Sequence, residues 1–177
     1  MSRPKILVHP DPRLRVRAAS ALDRPQADNQ ALAERLMAAL EAEGHGVGIA
    51  APQIGEAVRI VIVDASQSRY PCVNHGRLVM LDPVITRAEG RVLGREGCLS
   101  VPDWVGVVPR AERIEVVFFT LAGQRRTICA RGFEARVIQH EVDHLDGILF
   151  IDRVENPRDL IRRGDAQPAR RQRKGRG

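Results

Sequence analysis

One pentapeptide constrains this chain more than any other feature: His140-Glu141-Val142-Asp143-His144. Four of its five side chains ionise, yet the flanks Val137, Ile138 and Leu145 are apolar. The pattern predicts a helix over about 133–146, ending near Gly147. At 3.6 residues per turn, positions i and i+4 lie about 40° apart on one helix face. Both imidazoles can then reach one cation, with Glu141 beside it as a proton acceptor. A solvated pair of histidines is the bland alternative, but a helix apolar on this many sides is buried. Buried histidines and carboxylates need partners.

A catalytic divalent ion needs a third protein ligand and an open position. Zincin proteases supply that ligand downstream of the second histidine. No histidine follows His144 here, and the carboxylates Asp146, Asp152, Glu155, Asp159 and Asp165 do not match a zincin spacing. Upstream, Cys98 lies within Glu96-Gly97-Cys98-Leu99-Ser100. Its thiolate would complete a His2Cys set; the alternative is a small buried hydrophobe. Gly97 and Ser100 favour a tight backbone around a functional thiol. Thiolate and imidazole suit Fe(II), Zn(II), Ni(II) and Co(II) alike.

Around this motif the chain predicts a modest set of elements. Asp28 is the candidate N-cap of a helix over about 29–43, with Leu32, Leu36, Met37 and Leu40 as its apolar stripe and Gly44 as its stop. Gly46 to Gly55 reads as a Gly- and Pro-punctuated loop. Val58–Val63 and Leu78–Leu81 read as strands separated by an irregular connection. Arg113–Thr120 and Gln124–Ala130 read as strands joined at Ala122-Gly123. The fold class expected is α+β, antiparallel strands wrapped around a central metal-binding helix. Hydrophobic residues make up 44% of the 177, but only four Phe, one Trp and one Tyr occur, so the core is built from Val, Ile, Leu and Ala.

Charge divides the chain into a catalytic domain over 1–157 and a tail over 158–177. The tail holds eight basic residues and two acidic ones, so it accounts for the whole formal charge of +6. Its Gly164 and Pro168 predict disorder. Only this tail has the composition of a nucleic-acid-binding segment. No apolar run approaches the roughly 18–20 residues that span a bilayer. The N-terminal MSRPKILVHP has no signal-peptide core, so a cytoplasmic location without membrane attachment is expected. Three cysteines without an export signal argue for free thiols rather than a disulfide framework.

Three segments in order resemble the peptide deformylase family: Gly46-Val47-Gly48-Ile49-Ala50-Ala51-Pro52-Gln53, Glu96-Gly97-Cys98-Leu99-Ser100, and Gln139-His140-Glu141-Val142-Asp143-His144-Leu145-Asp146-Gly147. The resemblance spans about residues 4–155, and Asp11-Pro12 and Arg13-Leu14 look like the family's N-terminal strap. It implies removal of the N-formyl group from nascent N-formyl-methionyl polypeptides, with release of formate. It also implies one divalent ion, natively Fe(II), held by Cys98, His140 and His144. Glu141 would be general base and then acid, and Gln53 with the Leu99 backbone N–H would stabilise the oxyanion. The Gly46–Gly48 backbone would pair with an extended peptide. Val47, Phe133 and Val137 are the candidate walls of the methionine slot.

Glu96, Asp143 and Arg110 are candidates to orient the ligands, with an Asp143–Arg110 pair bracing the helix. His9, His45 and His75 lack paired ligand spacing and read as non-catalytic. Eight basic residues on a neutral body make the tail a candidate tether to ribosomal RNA. Two rival classes are an endopeptidase, disfavoured by the missing downstream ligand, and a non-catalytic ribosome- or RNA-binding homologue, which has no use for Glu141 and Gln53.

Overall fold

The computed structural model describes residues 4–44, 46–69 and 71–165. In chain order its main elements are α1 (Gln26–Ala42), β1 (Gly48–Ala50), β2 (Ile60–Asp64), β3 (Arg77–Glu89), β4 (Val92–Cys98), β5 (Val101–Arg110), β6 (Arg113–Phe119), β7 (Arg125–Arg131), α2 (Gly132–Leu145) and β8 (Leu160–Arg162). The strands form a five-stranded sheet, β1-β2-β3-β6-β7, and a three-stranded sheet, β4-β5-β8. Every neighbouring pair is antiparallel. The expected α+β class with a central helix is what the chain adopts.

Strand β2 shows how the layers assemble. Its run Ile-Val-Ile-Val is buried throughout, and period-two alternation sends the side chains to opposite faces. Val61 and Val63 join Ala135, Ile138 and Leu145 of α2 in one core, while Ile60 and Ile62 join Leu32, Leu36 and Leu40 of α1 in another. A strand covered on both faces needs this continuous apolar run. Each of the three leucines of α1 stabilises the fold by about 1.5–3 kcal/mol on full burial. A third cluster joins Leu7 and Leu14 of the N-terminal strap to Val101 and Val108 of the small sheet and to Leu149 and Phe150.

Several boundaries move. Pro25, not Asp28, precedes α1, and Asp28 lies in the first turn, where its charge suits the helix dipole. The Leu78–Leu81 strand continues through Pro83 to Glu89, because the ladder shifts register between Leu81 and Val84. That irregularity accommodates a residue without an N–H. Strands β4 and β5, unread in the sequence, contain Gly94, Gly97, Gly106, Pro102 and Pro109, which mask strand periodicity. The chain also stays structured past residue 157. A 3-10 turn spans Pro157–Asp159, and β8 pairs with β5 through Trp104↔Arg162, Val105↔Ile161 and Gly106↔Leu160. The expected disordered tail therefore does not begin at 158; backbone pairing to β5 orders that stretch despite its charge. Residues 166–177, and with them the rest of the expected tail, lie outside the described residues, as does His45. Among the described residues, no helix is long and apolar enough to cross a membrane.

Candidate metal centre and active-site cleft

Three elements from distant parts of the chain meet at one point. Helix α2 presents His140 and His144, β4 ends on Cys98, and a 3-10 turn over Ala51–Ile54 carries Gln53. The ligating atoms of Cys98, His140 and His144 all lie within 4.8 Å of one another, and all three residues are buried. Cys98 Sγ is 3.3 Å from His144 Nε2. Bonds of about 2.3 Å to sulfur and about 2.0 Å to nitrogen at tetrahedral angles place such donors roughly 3.5 Å apart. This donor set fits one divalent cation, and the chain carries a metal-binding triad here.

The histidines are oriented unequally. His140 Nδ1 donates to Glu96 Oε2 at 2.9 Å, which leaves Nε2 for a cation. Its ring also stacks on Phe150 at 6.3 Å between centroids. His144 Nδ1 is buried without a hydrogen-bond partner among the described residues. Arg110 grips Glu96 at 2.9 and 3.0 Å and reaches Asp143 at 2.5 Å. Arg153 closes on Asp143 from the other side at 2.7 Å, and Arg136 adds a bond to Glu96 at 2.9 Å. The expected Asp143–Arg110 brace is thus present, within a larger network. Burial opposes the charge on Glu96, but hydrogen bonds from His140 and Arg110 outweigh it and hold the carboxyl at about 2. Burial, together with positive charge on His140, pushes His144 well below its ordinary value, which keeps that imidazole neutral. For His140, burial works the other way from the Cys98 sulfur and Glu96, which prevail and raise it.

Glu141 is buried against β1. A Cβ built on Gly48 would fall 2.5 Å from Glu141 Oε1, so glycine is required for helix and strand to approach this closely. Glu141 Oε2 is buried and has no hydrogen-bond partner among the described residues. Desolvation raises its carboxyl to about 7 in the protein alone; a nearby cation pulls it back down. Gln53 is held by Ala50 N–H, which donates to Oε1 at 2.8 Å. Its Nε2 then points at Ser100 Oγ, 3.2 Å, and Cys98 Sγ, 3.5 Å. Leu99 sits in the turn between Cys98 and Val101, outside the strand ladder.

A cleft of about 300 Å³ opens over these groups, lined by Val47, Gly48, Gln53, Cys98, Leu99, Phe133, Val137, His140 and Glu141 among others. All the residues singled out in the sequence as catalytic or substrate-binding therefore face one cleft, with His144 beneath it. The two bounding strands, β1 and β4, are both edge strands. Sequence reading gave Ser100 only a backbone role and missed Arg136 and Phe150; their contacts depend on partners 28 to 47 residues away, or on ring stacking. It also missed Arg95 and Arg163 on the cleft wall. His75 instead binds Glu134 at 2.8 Å, away from the metal centre.

Fold and site define a metal-dependent hydrolase built on a helix-borne His2Cys centre. Residues 4–159 match the family described as polypeptide deformylase. The chain is 47% identical over 120 residues to a peptide deformylase of Pelotomaculum thermopropionicum, covering 68% of this chain and 72% of that one. It superposes on a peptide deformylase from Legionella pneumophila with a TM-score of 0.79 at 33% identity, covering 89% of both chains. A class I type b peptide deformylase from Acinetobacter baumannii, bound to Met-Ala-Ser, gives 0.77 at 37% identity, covering 86% of this chain and 99% of that one. The chain belongs to the peptide deformylase family.

Proposed function

We propose a division of labour among the residues of this metal-dependent deformylase, which removes the N-formyl group from methionine-initiated polypeptides. Cys98, His140 and His144 hold the ion, with Fe(II) as the native metal and Zn(II), Ni(II) or Co(II) as substitutes. When bound, the ion activates water near neutral pH and polarises the formyl oxygen. Glu141 takes the proton of the attacking water on Oε2 and returns it to the departing amine. Gln53 Nε2 and the Leu99 N–H donate to the oxygen that gains charge, each donor worth about 3–4 kcal/mol in comparable sites. The Gly48 edge pairs with the substrate backbone, and Val47, Phe133 and Val137 take the first side chain. Apolar walls exclude water and leave selection to the formyl group and methionine.

The observation that carries this reading is the Glu141 oxygen with no partner among the described residues, beside three convergent ligands at the floor of one cleft. The test joins metal analysis to formate release from formyl-Met peptides. The reading requires one ion per chain and no hydrolysis of unformylated peptides; internal cleavage of the latter would favour an endopeptidase.

We also propose a cytoplasmic enzyme whose catalytic unit extends through β8, with the basic residues beyond it as a ribosome tether. Residues 166–177 carry five basic residues and no acidic one. Deleting them weakens ribosome binding. Binding by the intact chain falls by about 500-fold between roughly 50 and 200 mM salt if each of the five contacts one phosphate. Affinity indifferent to both changes sinks the tether.

A further inference from the structure

Strand β4 alternates between two environments. Glu96 and Cys98 are buried, whereas Arg95 and Gly97 are exposed, as period-two geometry requires. Strand β8 runs along the far side of β5, and the Arg163 N–H extends its pairing by donating to Asp103 O at 2.8 Å. The Arg163 guanidinium then crosses Gly97: a Cβ there would lie 2.8 Å from Nη2. Gly97 is the neighbour of the ligand Cys98, and both Arg95 and Arg163 line the cleft.

The cations around this cleft are not equivalent. Arg110 is committed to Glu96 and Asp143, and Arg136 to Glu96 and the carbonyls of Val92 and Val108. The Arg95 and Arg163 side chains make no hydrogen bond or ion pair with any described residue. Asp103, which touches Arg163 through its backbone, forms no ion pair with it. Two guanidinium groups uncommitted among the described residues therefore line the cleft, and Arg163 lies over Gly97, the neighbour of the ligand Cys98.

We propose that Arg163, assisted by Arg95, is a specificity-determining residue that binds a carboxylate carried close behind the formyl-methionyl residue. The inference rests on the deformylase reading of the same cleft. An extended peptide advances about 3.3 Å per residue, so its second and third residues pass within reach of side chains that cover Gly97. The planar fork of arginine matches a carboxylate. That carboxylate is an acidic side chain at the second or third position, or the free terminus of a short peptide.

The test uses the metal-loaded full chain and two peptide pairs. Formyl-Met-Glu-Ser-amide is compared with formyl-Met-Gln-Ser-amide, and formyl-Met-Ala-Ser with its amide. In at least one pair the carboxylate raises kcat/KM about three- to tenfold, through KM, and the preference shrinks at high salt. The pair that responds tells which source of carboxylate is read. Arg163→Gln brings the ratio towards one, Arg163→Lys keeps part of it, and Arg87→Gln, at an exposed pair with Glu89 on β3, keeps all of it. Equal rates within both pairs for the wild type, or a ratio unmoved by Arg163→Gln, overturn the proposal and leave the deformylase reading intact. Failure to cleave any of the four peptides overturns both.

Discussion

Helices α1 and α2 cover opposite faces of the same five-stranded sheet, and they bury very different groups. The buried positions of α1 are Leu32, Ala33, Leu36, Ala39, Leu40 and one polar residue, Asn29, which donates to Ala21 O at 2.7 Å. The buried positions of α2 include Glu134, His140, Glu141, Asp143 and His144. Burying such groups costs several kcal/mol each unless they are paired. Glu96 pairs His140, Arg110 and Arg153 pair Asp143, and His75 pairs Glu134; the atoms left without a partner among the described residues, Glu141 Oε2 and His144 Nδ1, lie at the metal centre. One helix stabilises the sheet; the other uses stability contributed elsewhere to hold chemistry in a dry place.

The sharpest way to break this comparison is to remove a ligand. Cys98→Ala, His140→Ala and His144→Ala are each expected to lose tightly bound metal and essentially all formate release. A purified Cys98→Ala protein that keeps one ion per chain with unchanged affinity would remove that residue from the centre. Next comes Glu141→Ala, which keeps the ion yet loses about 10²–10⁴-fold or more in kcat. Near-normal turnover in the metal-loaded variant excludes Glu141 from proton transfer.

Stability separates the helices further. Arg110→Ala removes the cation shared by two buried carboxylates, leaving Glu96 to Arg136 and His140 and Asp143 to Arg153, and is expected to cost at most about 3–5 kcal/mol. Leu36→Ala in α1 leaves a cavity costing about 2–5 kcal/mol. Denaturant unfolding measures both losses, but only Arg110→Ala should also weaken metal binding, because only it removes the two bonds that fix Glu96 beside His140. Equal metal affinity in the two variants would show that the network braces the fold alone.

The smallest effect concerns Asp152, which ties the strap to the chain after α2. It accepts from Arg15 and from Leu149 N–H at 2.8 Å. Partial burial raises its pKa, but those donors prevail and lower it from the ordinary 3.8. A carboxyl depressed in the folded state stabilises above its unfolded pKa and loses that contribution as pH falls through the folded one. Asp152→Asn should therefore lower Tm slightly at neutral pH, and the difference from the wild type should close below pH 3.8. A difference that persists in acid would assign the loss to packing.

Much of the site was legible before the fold. The i, i+4 histidines, the third ligand at Cys98 and the amide at Gln53 were each recoverable from residue chemistry and motif resemblance. The two middle strands were not. Their glycines and prolines interrupt strand periodicity, although in the fold the glycines let Arg136, Phe150 and Arg163 approach the backbone of β4 and β5 closely. The segment after Pro157 was misread for a related reason. Charge and Gly164 suggested a tail, and nothing local announced that Leu160–Arg162 would pair with β5.

The sequence by itself determined what is periodic and local: the helical register that sets His140 and His144 on one face, the doubly apolar run of β2, and the absence of a downstream histidine. The tertiary structure alone decided which carboxylate orients His140, Glu96 rather than a neighbour on the helix, and which cleft cations find no partner among the described residues. Helical spacing follows from backbone hydrogen bonds within one turn, so it is written in adjacent residues. Partnerships between residues 14 to 44 apart, such as Glu96 with Arg110 and with His140, form only after strands pair and sheets pack around α2.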